Sequence, residues 1–362
     1  MPPVLTISLC MISLNDASMI GDCLRSCAHL VDEIIVVDHG STDGTQQIAR
    51  DLGAKVFERK WTDSYAEARN ASFAQGSGDW VFVLCADERL EPESAKIFRQ
   101  TVAVASTEAL TVLLIDESSG GESMSRYVRL AQRADLPPMV RRIHEMPARP
   151  PKSVADTPIR IRHLGHKRGP NAEKLRHYQR LLELQLTETP ADHYLLVDLL
   201  HTYWILKDPR WEPMMEKASA ELDRSDRPKH PLVAVLLELA MLRPAGTAPL
   251  ALSAHQAAEL AEQWYPNYLP LVALRIRQAL ARKDHAAVIQ LATPVFQQVN
   301  TMNVDPLPCK RAYLEADIHL LTGAACVMAR QREKAIEHFR MAAKHPEIAK
   351  IANTNLKNLG TE

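Results

Sequence analysis

The chain has 362 residues, more than a single hydrophobic core usually serves, so two domains are expected. Its 43 Lys and Arg nearly balance 44 Asp and Glu, which gives no electrostatic basis for binding nucleic acid or an anionic membrane over a large surface. No apolar run approaches the roughly 20 residues that span a bilayer, and six scattered cysteines without CxxC spacing read as buried thiols rather than a disulfide frame or zinc site, so a cytoplasmic protein is expected.

The opening MPPVLTISLCMISLND lacks a basic leader or small-residue cleavage site, and residues 4–12 read as a strand buried on both faces. Residues 17–30 have helical spacing, 33–37 form a β-branched strand, and 41–52 a helix that Ser41 or Thr42 could cap. A short strand over 55–58, a helix over 65–74 and a strand over 80–84 follow. This alternation predicts an α/β domain with a mainly parallel sheet over residues 1–170. From 118 to 170, prolines break the pattern into short extended pieces, expected as loops laid over a sheet edge.

Ten of the 13 glycines precede residue 170, and the rest of the chain reads as helix. After helical stretches at 174–186 and 193–206, pairs recur at 231–242 with 254–264, 270–281 with 285–299, and 312–329 with 332–343. Breaks near Lys207-Asp208, Ala245-Gly246, Lys283-Asp284 and Arg330-Gln331 follow the first member of each pair. Residues 171–362 are therefore expected to form an all-α domain of stacked, tetratricopeptide-like helical repeats, with an ordinary helical bundle as the alternative.

Three clusters could carry chemistry. In VVDHGSTDGT, Asp38 ends a strand where a carboxylate can accept from the imino N–H of a uracil ring; Gly40 permits the turn, and Asp43 reads as a helix cap. Arg69 follows on a helix, placed to meet a diphosphate with paired donors or else a surface carboxylate. In CADERL, Asp87, with Glu88 beside it, offers oxygen to Mg or Mn, whereas Cys85 would be a poor ligand. In RRIHE and IRHLGH, Glu145 is the candidate general base, and His144, His163 and His166 are candidate metal or structural histidines. Arg141, Arg142, Arg160, Arg162, Lys167 and Arg168 could neutralise a departing diphosphate or form a solvated face.

Taken in order, SLCMISLND, DEIIVVDHGSTDGT, YAEARN, GDWVFVLCADERL, RRIHE, IRHLGH and the helix from Lys174 to Arg180 resemble a bacterial family-2-type glycosyltransferase of the GT-A fold with tetratricopeptide-like repeats behind it. The resemblance covers roughly residues 4–185. It implies an inverting transfer from a nucleotide sugar, usually UDP-linked, assisted by Mg or Mn, to a peptide, protein or glycan acceptor. It assigns Asp38 to uracil, with Met11, Asn15, Ser41 and Ala86 as further donor contacts. Arg69 falls near the diphosphate, Asp87 is the last acid of the DxD metal motif, Glu145 the base, and His163 the second metal or diphosphate ligand. Two features depart from the family pattern: Leu14-Asn15-Asp16 stands for a K-N-E-like stretch, and Cys85 replaces the first DxD acid. The second departure keeps open a degenerate scaffold that binds a partner protein, or a second copy of the chain, through its helices. Nucleotidyl transfer is the weaker alternative, since no glycine-rich basic loop follows the first strand.

Overall fold

The computed structural model describes residues 5–118, 121–165, 172–225, 231–243, 251–297, 309 and 311–361. They fall into two compact units, one of residues 1–117 and 124–190, the other of 118–123 and 191–362.

The first unit is built on a mixed, mostly parallel sheet, as the sequence leads one to expect. Strands β1 (Ile7–Ser13), β2 (Glu33–Asp38), β3 (Lys55–Glu58) and β4 (Trp80–Val83) all run parallel, in the spatial order β3-β2-β1-β4. β1 is central and covered on both sides, which explains its unbroken apolar sequence. Ile7, Leu9 and Met11 pack with Trp80, Phe82 and helices α1 (Ile20–Cys27) and α4 (Pro92–Ala103), while Cys10 packs with Ile35, Val81 and Phe73 of α3 (Tyr65–Gln75). Helix α2 (Thr45–Asp51) begins later than expected, because residues 41–44 belong to the turn and Asp43, rather than Ser41 or Thr42, accepts from the Thr45 N–H.

Beyond β4 the sheet continues through β7 (Gly121–Gln132), β6 (Ala109–Ser118), β10 (Val154–His163) and β5 (Glu88–Leu90). β7 is antiparallel to β4, β10 parallel to β6, and β5 antiparallel to β10. The expectation of loops from 118 onward is thus corrected: β7 and β10 are long strands, and the alternating charged and apolar residues IRIRH of β10 suit a sheet with one face wetter than the other. A loop does cover the sheet over 133–153, with the small pair β8 (Met139–Val140) and β9 (Met146–Pro147) inside it.

The expected division at residue 170 also shifts, to 190, because helix α5 (Ala172–Glu188) belongs with the sheet. Arg180 donates to Asp63 at 2.5 and 2.7 Å, Glu188 accepts from Arg142 at 2.6 Å, and the Arg142 N–H donates to Gln185 Oε1 at 2.6 Å.

From residue 191 on, the regular elements among the described residues of the second unit are all helices. The helices α6 (His193–Leu206), α8 (Val233–Leu242), α10 (Leu269–Ala281) and α12 (Arg311–Met328) each pack on the next helix in sequence, respectively α7 (Trp211–Glu221), α9 (Ala254–Trp264), α11 (His285–Gln297) and α13 (Arg332–Ala342). Each also packs on the first helix of the next pair, ending with α12 on α14 (Pro346–Asn358). Nearest-neighbour stacking of helical pairs is the geometry of a solenoid. Three of the breaks read from sequence are its repeated punctuation; the fourth, Ala245-Gly246, lies outside the described residues. Lys207, Lys283 and Arg330 all adopt left-handed backbone, and the following N–H of Asp208, Asp284 and Gln331 reaches back to the carbonyl of Tyr203, Ala279 and Cys326. Among the described residues no helix is long and apolar enough to cross a membrane.

Candidate active site

In the first unit the carboxyl ends of β1, β2 and β4 deliver their loops to one edge of the sheet, where ligands of open α/β sheets bind. The loop after β2 folds around Asp38. Its side chain is fully buried and accepts from the Gly40 N–H at 3.1 Å, the Ser41 N–H at 2.9 Å, Ser41 Oγ and Gln46 Nε2 at 2.7 Å. Three of these donors converge on Oδ1 and one on Oδ2, so the turn, which Gly40 permits with φ +96°, holds the carboxylate in place. Asp38, fully buried, thus shapes the loop from within.

Asn15 and Ser41 knit this loop to the one after β1. The Asn15 N–H donates to Ser41 Oγ at 2.8 Å, and Asn15 Oδ1 accepts from the Thr42 N–H at 2.9 Å, with Asn15 held at φ +56°. Met11 and Ala86 lie in the core, so only their backbone could meet a ligand. Acidic groups accumulate beside them. Burial pushes the Asp16 carboxyl up, and the negative charges of Asp87 and Asp43 add to the rise.

At the end of β4, Asp87 and His163 converge, with Oδ2 and Nε2 3.2 Å apart. The other ring nitrogen, Nδ1, lies 3.4 Å from Asp116 Oδ2. Burial would lower the His163 pKa, but the hydrogen bonds and charges of the two carboxylates outweigh it and raise it to about 9. Asp87 is lowered in turn: burial opposes the shift, and the bond to His163 prevails. Gly165 packs against this pair. A Cβ there would fall 2.2 Å from Asp87 Oδ2 and 3.0 Å from His163 Nε2, so only glycine leaves the carboxylate in place.

Glu88 and Cys85 are not part of that pair. Glu88 is buried, accepts the Cys85 N–H at 2.8 Å and forms a close ion pair with Arg129. Burial first, then the Glu88 charge, pushes the Cys85 thiol up to about 12, so it is neutral and no metal ligand. One carboxylate oxygen and one imidazole nitrogen at 3.2 Å, in acidic surroundings, fit a hard divalent cation that would displace the His163 proton, its other ligands coming from a bound diphosphate and water. Among the described residues no group of three or more His, Cys, Asp and Glu is arranged to hold a metal alone.

Arg69 and Glu145 meet each other. Arg69 donates from Nε at 3.3 Å and Nη2 at 3.1 Å, both to Glu145 Oε1. Arg69 is almost wholly buried, and its alternative partner Asp63 is taken by Arg180. Left-handed backbone at Arg141 (φ +78°) and His144 (φ +51°) bends the loop that presents Glu145. His144 is exposed, its ring centroid 6.2 Å from that of Tyr178. The expected basic cluster is dispersed: Arg142 and Arg162 pair with Glu188 and Glu91. His166, Lys167 and Arg168 lie outside the described residues. Sequence reasoning missed an aromatic run along this edge. Trp61 meets His39 edge-on at 5.3 Å and Tyr65 at 5.0 Å, Tyr65 meets Tyr178 at 6.4 Å, and Lys174 Nζ lies 5.6 Å from the Tyr178 centroid.

Comparison with known proteins places this geometry. Residues 8–119 match the family model for glycosyl transferase family 2. A TPR repeat-containing protein of Synechococcus elongatus is 35% identical over 206 residues, 52% of this chain and 50% of that one. An uncharacterized glycosyltransferase of Rickettsia felis is 39% identical over 87 residues, 24% of this chain and 30% of that one. The chain thus spans half or less of the length of these curated relatives. Glucosyl-3-phosphoglycerate synthase from Mycobacterium tuberculosis, solved with Mn2+, UDP and glucosyl-3-phosphoglycerate, aligns with a TM-score of 0.37 at 19% identity over 51% of this chain and 79% of that one, too slight a likeness to bear on function. Residues 8–119, which resemble glycosyl transferase family 2, thus lie almost wholly within the mixed, mostly parallel sheet unit, and a helical region follows it.

Proposed function

We propose that the first unit transfers a sugar from a nucleotide sugar, UDP-linked in the first instance, to an acceptor with inversion at the anomeric carbon. The catalytic part runs through α5, and the helical unit serves as a platform for a peptide, protein or glycan acceptor or for a second copy of the chain. The convergence of Asp87 with His163, at the strand ends that also carry the Asn15–Ser41 junction, carries this reading. The nucleotide lies along those loops with its diphosphate toward Asp87.

Asp87 and His163 would hold a divalent cation, Mg or Mn, which offsets the diphosphate charge as the leaving group departs. Asp16, Asp38, Asp43 and Gly165 fix the shape of the site. Glu145 has one oxygen committed to Arg69, which leaves Oε2 to take the acceptor proton. The acceptor atom bonds to the anomeric carbon from the face opposite the diphosphate. The bond from that carbon to phosphate oxygen breaks, its electron pair leaves with the nucleoside diphosphate, and the acceptor proton passes to Glu145.

A panel of nucleotide sugars, assayed with Mn2+ for release of nucleoside diphosphate, tests the reading. Release from at least one donor, abolished in Asp87→Asn, is expected. A folded protein that turns over and binds none of them contradicts it and favours the scaffold.

A further inference from the structure

On the α3 face of the sheet in the first unit, beneath the loop that carries Glu145, lies a cavity of about 280 Å³. Its walls are largely apolar, with Phe73, Val81, Val83, Leu136 and Met139 among them. A cavity of about 150 Å³ lined by such side chains stays dry and binds benzene, so this one suits an apolar body of about ten carbons.

Five charged side chains also line it: Arg69, Arg129, Glu108, Asp135 and Glu145. The two guanidinium charges are already neutralised, Arg69 by Glu145 and Arg129 by Glu88. Yet each keeps one buried nitrogen without a hydrogen-bond partner, Nη1 of Arg69 and Nε of Arg129. Buried donors of this kind are rare in native proteins and call for an acceptor. Because both guanidinium charges are balanced and Glu108 and Asp135 add negative charge to the lining, the group that suits the two donors is a neutral oxygen. An anion would add uncompensated charge in an apolar place. A hydroxyl satisfies both sides, accepting from a guanidinium and donating to Glu145 Oε2.

We infer that the cavity holds the apolar portion of the acceptor, and that the acceptor is an amphipathic alcohol whose hydroxyl is presented to Glu145. The inference rests on the transferase reading above and narrows its acceptor. The hydroxyl oxygen bonds to the anomeric carbon of the nucleotide sugar, the bond to diphosphate breaks with its electron pair leaving on the nucleoside diphosphate, and the hydroxyl proton passes to Glu145.

The test uses the full chain with 1-octanol and octanoate as probes, measured by calorimetry, beside UDP-glucose with Mn2+ as donor probe. Octanol is expected to bind at least tenfold more tightly than octanoate. Ala131→Phe, which fills the cavity from β7, should weaken octanol at least tenfold and leave UDP-glucose binding unchanged; Ala131→Leu substitutes if the larger side chain impairs folding. The inference is overturned if octanol does not bind, if the cavity-filling variant binds it as well as the parent, or if octanoate binds better. UDP-glucose binding without octanol binding removes this inference and spares the transferase reading. Octanol binding with no nucleotide sugar bound leaves a cavity ligand but overturns its role as acceptor.

Discussion

Arg69 of α3 and Glu145 of the covering loop, 76 residues apart, are joined by two hydrogen bonds that converge on a single carboxylate oxygen. The pair fixes the carboxylate without consuming it, as a proton acceptor at the end of a cavity requires. Glu145→Gln keeps the shape and an acceptor oxygen for Arg69 but removes the base. It should lower kcat by about 10² to 10⁴, the usual contribution of a general base, with donor affinity unchanged. Arg69→Ala should lower kcat as well, since it frees the carboxylate to turn. Steady-state kinetics with donor titrations separate the two, and a full-rate Glu145→Gln would remove Glu145 as base.

Gly165 gives a second expectation. Alanine there meets Asp87 Oδ2 and forces the carboxylate away from His163. Metal affinity should fall about 10- to 100-fold, the cost of disturbing the groups that orient a ligand. Electron paramagnetic resonance of Mn2+ titrated into the variant, with the nucleoside diphosphate present, measures it. Unchanged affinity would show that Asp87 and Gly165 do not share a metal site.

The parallel half of the sheet was legible because β1, β2 and β4 are buried on both faces, so apolar runs alone mark them. β7 and β10 were not. Both carry two arginines and lie among glycines and prolines, so local composition argues for loops while pairing with β4 and β6 makes them strands. The site divided in the same way. Residue type and order pointed to Asp87, His163 and Glu145, but not to the partners of each. The burial of Asp38 under Gly40, Ser41 and Gln46 depends on how the turn closes, which residue order does not show. Arg129, Gly165 and Tyr178 matter through contacts with residues dozens of positions away, which spacing cannot reveal. The helical unit was easier, since each repeat depends mainly on its neighbours.

The ion pair of Glu88 with Arg129 supports the turn that carries Asp87. Glu88→Gln strips a buried guanidinium of its counter-charge, a loss that typically costs about 3–5 kcal/mol. The first unit should therefore unfold at lower urea, with the helical unit unaffected. Urea titrations that resolve the two units check this, and an unchanged first transition would mean that the pair contributes little.

The helical unit has its own pH response. In α12 and α13, His319 Nδ1 lies 2.9 Å from His338 Nδ1, and the His319 ring stacks on Phe296 at 3.9 Å. Burial, then the neighbouring His338 and Lys344 charges, holds the His319 pKa down to about 4. The unfolded chain takes up that proton near pH 6.5, so the unfolded state binds more protons between the two values. Stability is full above about pH 6.5 and is lost as pH falls toward 4. His319→Phe, which preserves the stacking, should flatten the fall in Tm over that range. An unchanged slope would assign the pH response elsewhere.

The central claim is that the loops at the carboxyl ends of β1, β2 and β4 form one nucleotide-sugar site with Asp87 at its diphosphate end. Calorimetric titration of UDP-glucose into the full chain, with and without Mn2+ and against Asp87→Asn, tests it most directly. The account predicts saturable binding that Mn2+ strengthens in the parent and fails to strengthen in the variant. Binding that is indifferent to both the cation and Asp87 would contradict it.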